Sequence, residues 1–257
     1  MSESSSVPVI SGCEPWSHVA ASADAPGALV IHGFTGAPAS MRSLAEAFAS
    51  AGFHVELPRL PGHGTSVADM KSTSWADWIG EAEAAYQRVA ARSNKVVVAG
   101  LSMGGALTLR LGADHPEIAG LVCVNPATQP SPDLLAAVSA MIDSGTDEIP
   151  GIGNDIADPD EIEVAYAMVP LRPLLSFFVD GLTPLVDTYP TSLPPLLLMS
   201  SPQDHVVEPA QADFLAGAYG ASVERVMLER SFHVATQDYD RGLIEERAVQ
   251  FARRVTS

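Results

Sequence analysis

Apolar positions along this chain fall into two alternating patterns. Short, nearly unbroken apolar runs occur at Ala28–Ile31, Phe53–Leu57, Lys95–Ala99, Leu121–Val124, Pro195–Ser200 and Ser222–Leu228, with a shorter one at Trp16–Ala20. Between them lie stretches with helical spacing: Ala39–Ala51, Ser74–Arg92, Gly104–Asp114, Ala210–Tyr219 and Tyr239–Val255. Strands alternating with helices predict an α/β fold, a mostly parallel sheet with helices on both faces. One stretch breaks the alternation. From Pro126 to Ser192 no convincing strand appears, only prolines, glycines and two apolar helical patches. We expect residues 126–192 to form a cap inserted above a core made of residues 1–125 and 193–257. No internal repeat or low-complexity segment is present.

The change from one pattern to the other is sharpest in VVVAGLSMGGALTLRL, Val96 to Leu111. A β-branched run stops at Gly100-Leu101-Ser102-Met103-Gly104 and a buried helical pattern starts at once. A turn that short forces its middle residue into strain, and glycines on both sides remove the side chains that would clash. This G-x-S-x-G pattern, between a strand and a helix, lifts a serine hydroxyl clear of the backbone at the top of a sheet. In parallel sheets, sites form beyond the C-terminal strand ends, which is where Ser102 falls.

Composition narrows the partners. The 257 residues suffice for one large α/β domain, with 47% hydrophobic and 18% charged residues. A formal charge of −17, with Lys71 and Lys95 the only lysines, argues against nucleic acid and against electrostatic docking to anionic membranes. The start, MSESSSVPVISG, lacks the basic and apolar regions of a secretory signal, and no apolar run reaches the ~18 residues of a membrane span. Cys13 and Cys123 fall in an N-terminal arm and a core strand, so no bridge between them is expected. A soluble, cytoplasmic protein is expected.

A serine nucleophile needs a base, and the base needs a carboxylate that holds its tautomer. Of the seven histidines, His32 in IHGFTG and His63 in LPGHG suit loop support. His18, His54 and His115 lie in or beside predicted elements with no nearby carboxylate, and His205 directly follows Asp204. His233, in RSFHVAT, sits five residues past the last strand at Leu228, in a loop at the C-terminal edge of the sheet. For the acid, Asp204 lies four residues past Ser200. Asp180 and Asp187 belong to the expected cap, and Asp238 and Asp240 suit an N-cap role at the final helix. The order Ser102, Asp204, His233 is the order of α/β hydrolases. The amide of Met103, opening a helix, and that of Phe34, in the loop after Ala28–Ile31, fit the two donors of an oxyanion hole.

At these segments the chain resembles a known family. VIHGFTGAPASMRSLAEAFASAGFHVELPRLPGHGTS, AGLSMGGALTL, SPQDHVVEPAQADF and SFHVATQDYD together look like the bacterial monoacylglycerol lipases and the similar small carboxylesterases of the α/β-hydrolase fold. The resemblance runs from about Ala28 to Phe251 and is looser across the expected cap. It implies a triad at Ser102, Asp204 and His233, and oxyanion donors at Phe34 and Met103. Ile152 in PGIGND and Glu163 in EIEVAY match the family's glycerol-side pocket, and Asn125 in VNPA is expected beside them. The implied chemistry uses no metal or organic cofactor, and no Cys/His cluster with ligand spacing is present.

The expected partner is a small lipid ester. Leu134, Leu135, Val138, Met141 and Ile142 share one helical face, and Leu171, Leu174, Leu175, Phe177 and Phe178 make a second apolar patch. Most of these residues suit packing of the cap onto the core, and a minority suffices to line an acyl channel. Membrane contact, if any, would be transient and through the cap. A short-chain carboxylesterase is the alternative within this chemistry. A hydrolase-like fold that only binds a ligand is a weaker one, because Ser102, Asp204, His233 and the HGF loop are all intact.

Overall fold

The computed structural model describes residues 7–191 and 194–257; the expected cap boundary at Ser192 and Leu193 and the first six residues lie outside the described residues. Seven strands form the main sheet: β1 (Trp16–His18), β2 (Gly27–Ile31), β3 (His54–Leu57), β4 (Val96–Leu101), β5 (Gly120–Val124), β8 (Leu196–Ser200) and β9 (Val223–Met227). Their order is β1-β3-β2-β4-β5-β8-β9, and all pairings are parallel except β1 on β3. The sheet is the predicted one. β4 runs two residues beyond the expected Ala99, so the strand ends directly before Ser102.

Side-chain alternation explains why the strand runs are apolar throughout. Leu29 and Ile31 face one layer with α3 (Trp75–Ala90), α4 (Met103–Asp114) and α8 (Ala210–Ala218). Ala28 and Val30 face the other, with α1 (Arg42–Ser50) and α9 (Arg241–Thr256). A sheet covered on both sides leaves no solvated position on its central strands. Each large apolar side chain buried this way is worth ~1.5–3 kcal/mol.

Register brings the strand ends level. Ile31 lies opposite Gly100, Leu101 opposite Val124, Val124 opposite Met199, and Ser200 opposite Met227. The loops after β2, β4, β5, β8 and β9 therefore open at one edge of the sheet.

Between β5 and β8 the chain forms α5 (Pro132–Asp143), β6 (Glu148–Pro150), β7 (Met168–Pro170), α6 (Leu171–Ser176) with a wider-wound turn Phe177–Leu182, and α7 (Thr183–Val186). The two apolar patches are the helices expected. The absence of strands there is corrected, because β6 and β7 pair antiparallel, Ile149 opposite Val169. Three residues each, ending in Pro150 and Pro170, are too few to display a period of two. Gly151 to Ala167, joining them, has neither helix nor strand. No helix among the described residues is long and apolar enough to cross a membrane.

Candidate active site

Ser102 sits between β4 and α4 with φ 57° and ψ −119°, a left-handed conformation that costs a non-glycine residue ~1–3 kcal/mol. Its neighbours leave no alternative. A Cβ on Gly100 would lie 2.1 Å from the Gly104 carbonyl oxygen, and one on Gly104 would lie 2.3 Å from that of Ile31. The strand-to-helix turn is pressed against β2, and the two glycines permit that approach. The Ser102 amide donates to Val124 O at 3.0 Å, and its carbonyl accepts from Gly105 N at 2.9 Å. The strained residue is locked at both ends.

His233 and Asp204 are paired. Nδ1 of His233 lies 2.8 Å from Asp204 Oδ2, and the two side chains are 8% and 2% exposed. The other carboxylate oxygen accepts from the amides of Val206 and Val207, each at 2.8 Å. A buried carboxylate with all its partners supplied is held in one orientation. The rival acids lie elsewhere: Asp180 is exposed and accepts from Ser176 Oγ at 2.6 Å, and Asp187 is exposed.

The His233 loop is held from several sides. Asn125 is buried in a left-handed conformation, φ 42°, which asparagine tolerates better than most residues. Its amide nitrogen donates to His233 O at 2.8 Å and Phe232 O at 3.2 Å, and its Oδ1 accepts from Ser201 N at 2.7 Å. Asn125, expected beside the glycerol-side pocket, is not among the residues lining the cavity that holds Ser102, and its side chain is spent on these bonds. Asp238 and Asp240 are likewise not side-chain caps of α9. Asp238 accepts from Phe232 N at 2.9 Å and from the amides of Ala157 and Asp158, and Asp240 accepts from Arg230 N and Ser231 Oγ.

The loop after β2 rests on a buried imidazole. His32 Nε2 accepts from Leu60 N at 3.1 Å, which leaves Nδ1 to donate to Gly33 O at 3.0 Å. His63 packs 5.1 Å from it, and Phe34 packs on Trp78 at 5.5 Å. Burial pushes the His32 pKa down to about 4 and that of His63 well below its usual value. Both are neutral supports, as their loop positions predict. His115 departs from expectation, because two carboxylates, Glu83 and Glu117, flank it at 2.7 and 3.1 Å.

Ser102, His233, Gly33 and Phe34 face one cavity of about 290 Å³. Much of its wall is apolar: Leu134, Ile149, Val169, Leu174, Phe177 and Phe178 contribute. Val138 and Leu171 from the same helices are fully buried in the core instead, so the apolar patches divide between packing and lining. Ile152 and Glu163 both border the cavity. Ile152 is 66% exposed, and burial raises the Glu163 pKa, opposed by the nearby His233 and reinforced by Asp155. Met103 heads α4, where main-chain amides have no partner within the helix. Sequence inspection missed Asp155, which has no motif signal within GIGNDI and joins this cavity wall.

Residues 28–246 match the model of the alpha/beta hydrolase family. The chain is 42% identical to a thermostable monoacylglycerol lipase from Bacillus sp. (strain H-257), over 95% of this chain and 96% of that one. It is 23% identical to a carboxylesterase from Bacillus subtilis (strain 168), over 88% and 92%. A solved structure from work on LipS and LipT, two metagenome-derived lipolytic enzymes, superposes with a TM-score of 0.89 at 40% identity, covering 96% of this chain and 100% of that one.

Proposed function

Because this chain belongs to the alpha/beta hydrolase family, we propose that it hydrolyses monoacylglycerols to fatty acid and glycerol, with Ser102, His233 and Asp204 as its triad. The observation that carries this is the strained Ser102 opening into the same cavity as the buried His233–Asp204 pair. Ser102 Oγ attacks the ester carbonyl and His233 accepts its proton. Asp204 holds the imidazole tautomer and stabilises the imidazolium. The amides of Phe34 and Met103 stabilise the oxyanion, where removing one donor costs ~10²–10³ in rate. His233 then protonates the departing alcohol, and water cleaves the acyl-enzyme by the same route.

In this proposal residues 126–192 are the cap over a core of 1–125 and 193–257. Its apolar wall takes the acyl chain. Glu163 binds a glycerol hydroxyl, a role favoured by its place on the cavity wall near His233, and Ile152 at the rim keeps larger glycerides out by bulk. A cytoplasmic location and at most transient membrane contact belong to the same proposal. Hydrolysis of monoacylglycerols and p-nitrophenyl esters, matched across chain lengths, tests the substrate. We expect medium or long monoacylglycerols to give the higher kcat/KM. A preference confined to short p-nitrophenyl esters would make the chain a short-chain carboxylesterase.

A further inference from the structure

Asp155 lies in the irregular loop between β6 and β7, yet it is only 6% exposed. Its Oδ1 sits 2.7 Å from His205 Nδ1. Its Oδ2 accepts from two main-chain amides, His205 N at 3.2 Å and His233 N at 3.1 Å. Its carbonyl accepts from Val234 N at 3.1 Å. One residue thus binds the loop after β8 and the loop after β9. These are the loops that carry Asp204 and His233, and Asp155 grips each at or next to the residue in question.

The partners indicate that this is more than a convenient packing contact. A buried carboxylate is costly unless donors surround it, and the donors here come from both loops at once. The His205 side chain is 56% exposed, so the core does not need it. Its ring nevertheless stands edge-on to Phe232 at 4.6 Å, directly before His233. The peptide groups of His233 are then fixed on both sides: its N–H by Asp155 and its C=O by Asn125. The far end of the loop that carries Asp155 is also tied, since Tyr166 N donates to Thr35 O at 3.1 Å beside Phe34.

We propose that Asp155 is a positioning residue for ester hydrolysis: paired with His205, it sets the separation of the loops bearing Asp204 and His233 and ties the cavity wall that carries Ile152 and Glu163 to them. This rests on the triad proposed above. A substrate that seats that wall correctly then also holds His233 correctly, so the cost of losing Asp155 falls on turnover rather than on binding.

Steady-state kinetics on one p-nitrophenyl ester, well below each variant's own melting transition, test this. Asp155→Ala should lower kcat by about 10- to 100-fold, the cost of a small misplacement of reacting groups, with KM little changed. His205→Ala, at an exposed position, folds and should show a smaller loss, also in kcat. The double variant should be no slower than Asp155→Ala, because both changes remove one linkage. Parental kcat in both single variants, or losses that multiply in the double variant, would overturn the proposal. So would a loss that merely tracks the unfolded fraction. Ser102→Ala, assayed alongside, separates the two levels: turnover surviving there sinks the triad itself, whereas an inactive Ser102→Ala beside a fully active Asp155→Ala sinks only the positioning role.

Discussion

The strand-end loops and the 151–167 loop meet at one cavity, but they are built by different means. Ser102 is placed by the register of β4 between β2 and β5 and by main-chain bonds at both of its ends. The 151–167 loop has no regular structure and is held by separate anchors, chiefly the carboxylates of Asp155 and Asp238 and the amide of Tyr166. The first arrangement resists change, since moving Ser102 means moving the sheet. The second tolerates substitution between its anchors. Under the proposed function, chemistry sits on the first part and selectivity on the residues between the anchors of the second, so selectivity can change while the chemistry stays fixed.

The sharpest way to break this division is to remove the strand-end groups. Ser102→Ala should leave a folded protein with esterase activity lowered by at least ~10³-fold and by as much as ~10⁶-fold, measured on a p-nitrophenyl ester. Asp204→Asn keeps the shape but favours the wrong imidazole tautomer, and should cost about 10⁴-fold. Asp180→Asn and Asp187→Asn, at exposed positions, should leave turnover within about a factor of two. Equal damage from either would move the acid off the strand ends.

Acid stability probes the supports of the same region. The folded His32 titrates at about 4, while an unfolded imidazole titrates near 6.5. Between those values only the unfolded chain takes up this proton. Its contribution is therefore intact above pH ~6.5 and falls by about 3 kcal/mol as the pH drops toward 4. His63 acts in the same direction. Urea unfolding at several pH values should follow this slope, and His32→Gln should flatten it.

Changes in the 151–167 loop between its anchors, away from Asp155, should act more gently and unevenly. Glu163→Ala leaves a glycerol hydroxyl without its partner, worth about 1–3 kcal/mol, or roughly 5- to 150-fold. That loss should fall on monoacylglycerol and largely spare a p-nitrophenyl ester of equal chain length. Ile152→Ser, the smallest change, should raise relative activity on diacylglycerol without altering turnover of the small ester. Equal losses on both substrate types would erase the division of labour.

The same contrast governs how much could be read from the sequence. The elbow was legible because strand, glycines, serine and helix are contiguous and each demands the next. The pairing of Asp204 with His233 was legible because both follow strand ends by a few residues, at the edge where sites form. The bonds of Asn125 were not legible, because nothing local indicates that an amide beside a strand end is turned inward to hold Phe232 and His233. Asp238 and Asp240 look like caps from their position before α9, yet their oxygens reach back to Arg230, Ser231 and Phe232. Asp155 gave no signal at all, since its partners lie 50 and 78 positions away in the chain. Long-range polar bonds leave no periodic trace.

The central claim is that Ser102 is the nucleophile of this cavity, activated by His233. Reaction with a serine-directed phosphonate, followed by peptide mapping, addresses it directly. We predict a single adduct on Ser102, lost in Ser102→Ala and formed far more slowly in Asp204→Asn. An adduct on another residue, or undiminished labelling in Ser102→Ala, would contradict the account.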